Sequence, residues 1–256
     1  MLSGDIIRDA RLRAGLSQTE LGQRVGRDRT QIARWERHAV APSLETLREL
    51  VQTCGYDLSL RLEPLDRSND EVLRAALMLS PQERLQRMLT QRKRIEEVSD
   101  FDPLAILGAL ERHRIAYVLV GDLAGVLHGT DLTADTVEIT PSLKPENAER
   151  LDHALDDLEV PEKQRAALRA TTSESHSLTI PTKKGEITIS AAPIGTRGYD
   201  DLRRAAQREP LGRGIRVPVA STPDLIRSLS IDGGDAILEQ RLRRLVDLEQ
   251  GFSPAL

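Results

Sequence analysis

Short amphipathic segments separated by glycine or proline open the chain, and this pattern is typical of a bundle of short helices. The first segment carries apolar residues at Ile6, Ile7, Ala10 and Leu12, which fall on one helical face. Gly15 then ends the segment. A helix is therefore predicted within the first fifteen residues.

Polar capping residues mark the starts of the helices that follow. Ser17 and Glu20 have the spacing of a capping box, in which each side chain accepts a hydrogen bond from the other residue's backbone N–H. Asp28 is positioned to cap a third helix, and Ser43 to cap the helix after it. We expect an all-α domain of five helices over residues 1–64.

The period of the apolar residues changes from 3.6 to 2 after Gly55. Residues 56–63 alternate apolar and polar side chains without an exception, as a half-buried strand requires. An isolated edge strand is unstable, so we expect this strand to pair with the same strand of a second subunit. The predicted dimerisation residues are its apolar face, Tyr56, Leu58, Leu60 and Leu62.

After residue 64 the sequence predicts two polar helices, followed by a domain in which strands and helices alternate. Residues 65–101 predict a helical linker, and residues 102–256 predict a mixed α/β domain in which strands alternate with helices. Strand candidates are 116–120, 137–140, 178–180, 186–190 and 215–219. Helix candidates are 103–113, 122–127, 145–158, 199–206, 222–229 and 237–248. The overall class is therefore expected to be α+β.

Composition narrows the class of protein further. The 256 residues are enough for two domains and a connector. No stretch approaches the roughly 18 apolar residues that a membrane span needs, and no secretory signal opens the chain, so we expect a cytoplasmic protein without a membrane partner. The single cysteine, Cys54, excludes an intramolecular disulfide and a cysteine-rich zinc site.

Charge is distributed unevenly along the chain. The net charge is −4, yet residues 1–64 carry +1 and residues 65–256 carry −5. Within the first part, five arginines fall inside 14 residues: Arg24, Arg27, Arg29, Arg34 and Arg37. Such a cluster is typical of a surface that meets nucleic acid, and the alternative is a solvated face without a partner.

Three segments together resemble the lambda-repressor-like (XRE, Cro/C1-type) helix-turn-helix family. They are residues 16–26 (LSQTELGQRVG), 29–36 (RTQIARWE) and 42–47 (PSLETL). The resemblance covers about residues 5–55, and it implies that the third helix lies in the major groove of double-stranded DNA with a palindromic operator as the expected target.

The resemblance also assigns roles to residues around that helix. Arg29, Thr30, Gln31 and Arg34 would read base edges, because arginine can bind guanine and glutamine can bind adenine through paired hydrogen bonds. Gln18 would donate to a phosphate or brace the reading helix, and Arg27 and Arg37 would contact phosphates.

Residues 117–129 (YVLVGDLAGVLHG) resemble the opening of the minimal nucleotidyltransferase fold of AbiEii-type and antitoxin-type proteins. A weaker resemblance extends over residues 103–250. In that family a strand leads into Gly-Gly or Gly-Ser, and a helix ends near His-Gly. An Asp-x-Asp pair on the next strand and a third aspartate on a later strand then hold magnesium.

The magnesium-binding positions of that family are altered in this sequence. Counted from His128, the pair falls on Thr136 and Glu138, and the third position falls on Thr188. Asp122 replaces the second signature glycine. A threonine hydroxyl cannot replace a carboxylate on magnesium, so we expect a degenerate domain with no catalytic residue, metal or cofactor.

An alternative would shift the metal site to Asp131, Asp135 and Glu138. Asp135 and Glu138 are three residues apart and would point to opposite faces of a strand, which disfavours this arrangement. His128 is interpreted as a packed or capping histidine.

Two hypotheses of function follow. The favoured one is a dimeric repressor or autoregulator whose acidic C-terminal domain senses a ligand, binds a protein partner such as a toxin, or sets the spacing of the two DNA-binding domains. The competing one is an active metal-dependent nucleotidyltransferase with an accessory DNA-binding domain.

Overall fold

The protein forms two compact units, Met1–Arg67 and Ser68–Leu256. The computed structural model describes residues 3–37, 39–59, 67–95, 101–170, 177–232 and 235–249. The boundary between the units lies three residues after the end of the domain predicted over residues 1–64.

Unit 1 contains helices α1 (Ser3–Arg13), α2 (Gln18–Arg24), α3 (Arg29–Glu36) and α4 (Leu44–Thr53). The described part of this unit thus holds four helices, and the prediction of five was wrong for residues 3–59. The physical reason is that no fifth amphipathic segment of period 3.6 exists there, since the side chains after Gly55 alternate instead.

The predicted helix starts in unit 1 are confirmed by their hydrogen bonds. Ser17 and Glu20 form a complete capping box at the start of α2. The Asp28 carboxylate accepts a hydrogen bond from the Gln31 backbone N–H over 2.8 Å. The Ser43 hydroxyl in the same way accepts one from the backbone N–H of Thr46, the third residue of α4. These caps satisfy backbone donors that the first turn of a helix leaves free.

A single apolar core holds the four helices together. Its fully buried members include Ile7 of α1, Leu21 of α2, Ile32 of α3 and Leu50 of α4. Cys54 is a buried free thiol next to this core. Burial raises the pKa of the Cys54 thiol, which keeps it protonated and unreactive.

Unit 2 is a six-stranded mixed sheet with helices around it. Its strands are β1 (Tyr117–Val120), β2 (Thr136–Pro141), β3 (Ser177–Thr182), β4 (Gly185–Ser190), β5 (Gln207–Gly212) and β6 (Ile215–Val219). Its helices are α5 (Asp70–Leu77), α6 (Pro81–Ile95), α7 (Pro103–Arg112), α8 (Gly121–His128), α9 (Pro145–Asp157), α10 (Glu162–Ala170), α11 (Tyr199–Leu202), α12 (Thr222–Asp232) and α13 (Ala236–Glu249).

The strand order is β3-β4-β2-β1-β6-β5. β1 is antiparallel to β2 and parallel to β6, and β2 is parallel to β4. All four residues of β1 are buried, as expected for a central strand. From Thr136 to Ile139 of β2 and along β4 burial alternates, so that Val137, Ile139, Ile187 and Ile189 are buried and the residues between them are partly or fully exposed.

The helices predicted as a linker are part of unit 2. Asp70 of α5 forms a buried ion pair with Arg244 of α13. Arg84 of α6 donates a hydrogen bond to the Leu127 carbonyl over 2.6 Å. Each helix also presents buried apolar side chains to the unit, such as Leu73 and Leu85. Residues 70–95 therefore need the rest of unit 2 to cover their apolar faces, which a free linker would not provide.

Three elements differ from the sequence prediction. β5 was not predicted because Gln207-Arg208-Glu209-Pro210 shows no apolar alternation. It is an edge strand, where proline and charged side chains are tolerated. α10 was likewise not predicted, and the helix predicted over 199–206 ends at Leu202.

Candidate nucleic-acid interface

α3 is fixed in unit 1 by its apolar face and by a close turn from α2. Ile32 is completely buried and Trp35 is 6% exposed. The turn requires Gly22, because a Cβ there would lie 2.6 Å from the carbonyl oxygen of Arg27. The two helices can approach this closely only without a side chain at residue 22.

The four predicted base readers all lie on the outward side of α3. Arg29, Thr30, Gln31 and Arg34 are exposed, in contrast to the buried residues of the same helix. Two shallow concavities flank them. One, of about 280 Å³, is lined by Thr30, Gln31 and Arg34 among others, and the other, of about 320 Å³, includes Arg29. An exposed helical face of this kind has the shape that enters a major groove.

Gln18 lies beside α3 and is held by it. Its side-chain amide donates to the Glu36 carboxylate over 2.9 Å. Of the two roles predicted for Gln18, this contact favours the brace. Gln18 also lines the second concavity together with Arg37.

The C-terminal end of α3 is anchored by a buried ion pair. The sequence prediction missed this pair. Arg11 of α1 donates two hydrogen bonds to Glu36, at 2.6 and 2.9 Å, and a third to the Leu16 carbonyl at 2.8 Å. The Arg11 and Glu36 side chains are only 7% and 3% exposed. A sequence signal existed, since Glu36 lies four residues after Ile32 and so falls on the buried face of the helix.

The arginines near α3 are not neutralised by the protein itself. Arg27, Arg29, Arg34 and Arg37 are exposed, and none of them forms an ion pair with a carboxylate in the part of the chain that the structure describes. Arg37 donates to the Ala33 carbonyl at the end of α3, which orients its side chain. The charge of these four side chains is therefore available to phosphates.

The structure describes two of the four predicted dimerisation residues, and these two differ in exposure. Tyr56 is 41% exposed, whereas Leu58 packs against the core of unit 1. Residues 56–59 form no strand ladder within the single chain. Leu60 and Leu62 lie outside the described residues.

In unit 2, the three positions at which the sequence resemblance led us to look for carboxylates lie together. Thr136 and Glu138 are on the same face of β2, and Thr188 of β4 is the direct neighbour of Glu138. The Thr188 hydroxyl shares a hydrogen bond of 2.9 Å with Thr179 of β3. This face of the sheet is thus rich in hydroxyl groups, and it also carries the carboxylates of Glu138 and of Glu186, the register partner of Thr136.

Glu138 lies directly against the start of α8. A Cβ at Gly121 would lie 2.3 Å from the carboxyl carbon of Glu138, and the φ of +69° at Gly121 favours glycine there. Burial and the charge of Asp122 raise the pKa of Glu138, although a hydrogen bond from the Asp122 backbone N–H opposes this. The positive end of α8 is therefore occupied by a carboxylate of the protein itself.

Asp122, interpreted from the sequence only as the replacement of a glycine, has the most perturbed carboxyl group near this face. Burial, then the negative charges of Asp235 and Asp135, raise its pKa to about 6. Asp235 directly precedes α13, so the start of α13 lies near Asp122. No signal in the sequence indicated this proximity.

The shifted metal site is not assembled. Asp131 pairs with Arg241 over 3.0 Å, and Asp135 precedes β2 and is exposed. Over the described ranges, no three His, Cys, Asp or Glu side chains come together as a metal-binding group. His128 Nε2 donates a hydrogen bond to the Ala220 carbonyl over 2.7 Å, and burial lowers the pKa of His128, as for a packed neutral histidine.

Comparison with protein families gives a match within the first unit. No curated protein matches the chain. None of the helices within the described residues has the length and apolar character needed to cross a membrane. Residues 7–60 match the helix-turn-helix family HTH_3, and this segment is a helix-turn-helix domain of the DNA-binding XRE type.

Proposed function

We propose that this protein is a sequence-specific transcriptional regulator that binds a palindromic operator as a homodimer and acts as a repressor or autoregulator. The observation that carries this proposal is the outward face of α3, where Arg29, Thr30, Gln31 and Arg34 are exposed. The helix behind them is held by a buried core and by the Arg11–Glu36 pair. A rigid helix with free donors on one face is suited to reading base edges.

Selection of bound duplexes from a random library tests this proposal. We expect enrichment of an inverted repeat whose half-sites are separated by about one helical turn, or roughly 10 base pairs. Affinity should fall steeply with salt, because each neutralised phosphate contributes about −0.9 to the slope of log K against log salt concentration. Retention of random sequences without enrichment would contradict sequence-specific recognition.

The dimer is proposed to form through residues 56–63. Tyr56 offers exposed apolar surface, and Leu60 and Leu62 continue the same period-2 face. Leu60→Asp should give monomers in sedimentation, because a charge would replace an apolar contact between strands. Ser59→Asp, on the opposite face, is the matched control and should remain dimeric. A Leu60→Asp protein that sediments as a dimer would remove this interface.

For unit 2 we propose a nucleotidyltransferase-like domain that has lost catalysis and binds a ligand or a protein partner. In support, β1 runs into Gly121 and α8, which ends at His128 before Gly129. Among the three compared positions only Glu138 carries a carboxylate. This carboxylate lies against Gly121 and accepts a hydrogen bond from the Asp122 backbone N–H at the start of α8. One carboxylate cannot hold the two cations that neutralise a triphosphate in such chemistry.

The alternative is an active nucleotidyltransferase with an accessory DNA-binding domain. The observation in its favour is that Asp122 and Asp135 lie near Glu138. The purified protein is incubated with labelled nucleoside triphosphates and magnesium, with and without Glu138→Ala. We expect no transfer of label in either case. Transfer that Glu138→Ala abolishes would establish the alternative.

A regulator built from these two parts is suited to an antitoxin-like role in the cytoplasm, with a toxin as its protein partner. This part of the proposal rests only on the resemblance of residues 117–129 to antitoxin-type proteins. Co-purification of the full chain with the product of a neighbouring gene, followed by mass measurement of the complex, tests it.

A further inference from the structure

A cavity of about 180 Å³ lies in unit 2 between α5, α6 and the segment that follows α8. Its walls are partly apolar, with Val72, Leu79, Met88 and Val126 among the lining side chains. An apolar cavity of roughly 150 Å³ accommodates one benzene ring. The space therefore fits one ring with small substituents.

One face of α6 brings positive charge to this cavity. Arg84, Arg87 and Gln91 all line it and follow each other at helical spacing. Arg84 donates to the carbonyls of Ala76, Leu77 and Leu127, and forms no ion pair with a described carboxylate. Burial lowers the pKa of the Arg84 guanidinium, as expected for a cation surrounded by carbonyls and apolar side chains.

Arg87 has a free guanidinium. It is exposed, and it makes no hydrogen bond or ion pair with any residue that the structure describes. Its five donors are therefore available to an anion at the mouth of the cavity, where a carboxylate can be bound through two parallel hydrogen bonds.

One polar group in the buried part of the wall also lacks a partner. The Thr130 residue is only 6% exposed, and its hydroxyl makes no hydrogen bond. Asp131, the next residue, has its Oδ1 atom 3.0 Å from Arg241 Nε, so its charge is paired within the protein. Buried polar groups in folded proteins are normally hydrogen-bonded, so the Thr130 hydroxyl is a group that a molecule bound in the cavity can satisfy.

We propose that this cavity binds a small organic acid with a ring-sized apolar body, a carboxylate and a hydroxyl group. The ring fills the apolar space, and the carboxylate binds Arg87. The ligand hydroxyl exchanges a hydrogen bond with the Thr130 hydroxyl. The ligand is thus an aromatic hydroxy acid or a compound of the same shape and charge. This site does not depend on the DNA-binding proposal, because all its residues belong to unit 2.

Titration calorimetry of the full chain with 4-hydroxybenzoate tests the site. We expect binding of one molecule per chain at millimolar concentration or below, with weaker binding of benzoate and of 4-hydroxybenzyl alcohol. Arg87→Gln should lower the affinity for 4-hydroxybenzoate about tenfold, because a charge-assisted contact is lost. Arg216→Gln, an exposed arginine on β6 outside the cavity, is the matched control and should bind like the unchanged protein.

Thr130→Val provides the second readout. Removal of a buried hydroxyl that has no partner should not destabilise the fold, so this variant is expected to fold normally. Its preference for 4-hydroxybenzoate over benzoate should shrink, whereas Arg87→Gln should keep that preference. Absence of binding at millimolar concentration, or equal affinity of Arg87→Gln and Arg216→Gln, would overturn the proposal. Loss of DNA recognition would leave these measurements unaffected, so the two proposals can fail separately.

Discussion

Arg34→Ala is expected to weaken binding to the selected operator by about 1–3 kcal/mol and to loosen base preference at one position of each half-site. Arg34 is exposed on the outward face of α3, and no described carboxylate competes for its guanidinium. The loss should therefore come from contacts to a base edge. Affinity is measured on the operator, on operators changed at one base pair, and on a random duplex.

Arg37→Ala is the matched control for this prediction. Arg37 lies just after the end of α3, and its side chain is held by the Ala33 carbonyl. We expect its loss to weaken operator and random duplexes alike and to reduce the salt slope by about one phosphate contact. An equal loss on all duplexes for both variants would show that Arg34 does not read bases.

Glu36→Ala is expected to destabilise unit 1 by about 3–5 kcal/mol, because it leaves the Arg11 charge buried without a partner. The same change releases Gln18, which donates to Glu36. Trp35 is the only tryptophan of the chain and is buried in the core of unit 1. Denaturant unfolding followed by Trp35 fluorescence therefore reports on this unit.

Two companion variants separate the buried charge from other effects. Glu49→Ala changes an exposed glutamate of α4 and should alter stability by less than about 0.5 kcal/mol. Arg11→Met combined with Glu36→Leu removes both charges and should recover most of the stability, since an apolar pair can replace a buried ion pair. A Glu36→Ala protein as stable as Glu49→Ala would show that the pair does not anchor α3.

Local signals predicted the parts of the fold that depend on neighbouring residues in the chain. Ser17, Asp28 and Ser43 were predicted as caps and each accepts the expected hydrogen bond. Buried strands such as β1 were found from their apolar runs, because a strand covered on both faces needs no polar residues. The exposure of the four proposed base-reading residues of α3 was predictable, because Ile32 and Trp35 are the apolar residues on the opposite side of the same helix.

Contacts between distant segments were not predictable in the same way. Arg227 is 1% exposed and pairs with Asp201 and Asp224, so a side chain that the sequence suggests is on the surface lies inside the fold. The edge strand β5 has no periodic pattern, and its place is decided by hydrogen bonds to β6. The helices of residues 70–95 were predicted correctly as helices, but their association with unit 2 depends on partners such as Arg244.

The sequence by itself determined the helix-turn-helix domain, because caps, turns and apolar spacing act over a few residues and leave a readable pattern. It also determined which side chains α3 presents outward. The tertiary structure alone decided that Glu36 and Arg11 meet in the core, that Glu138 lies on the start of α8, and that Arg84, Arg87 and Thr130 surround one cavity. These contacts join residues that lie far apart in the chain, and no local rule of spacing records which distant side chain a buried charge or hydroxyl will meet.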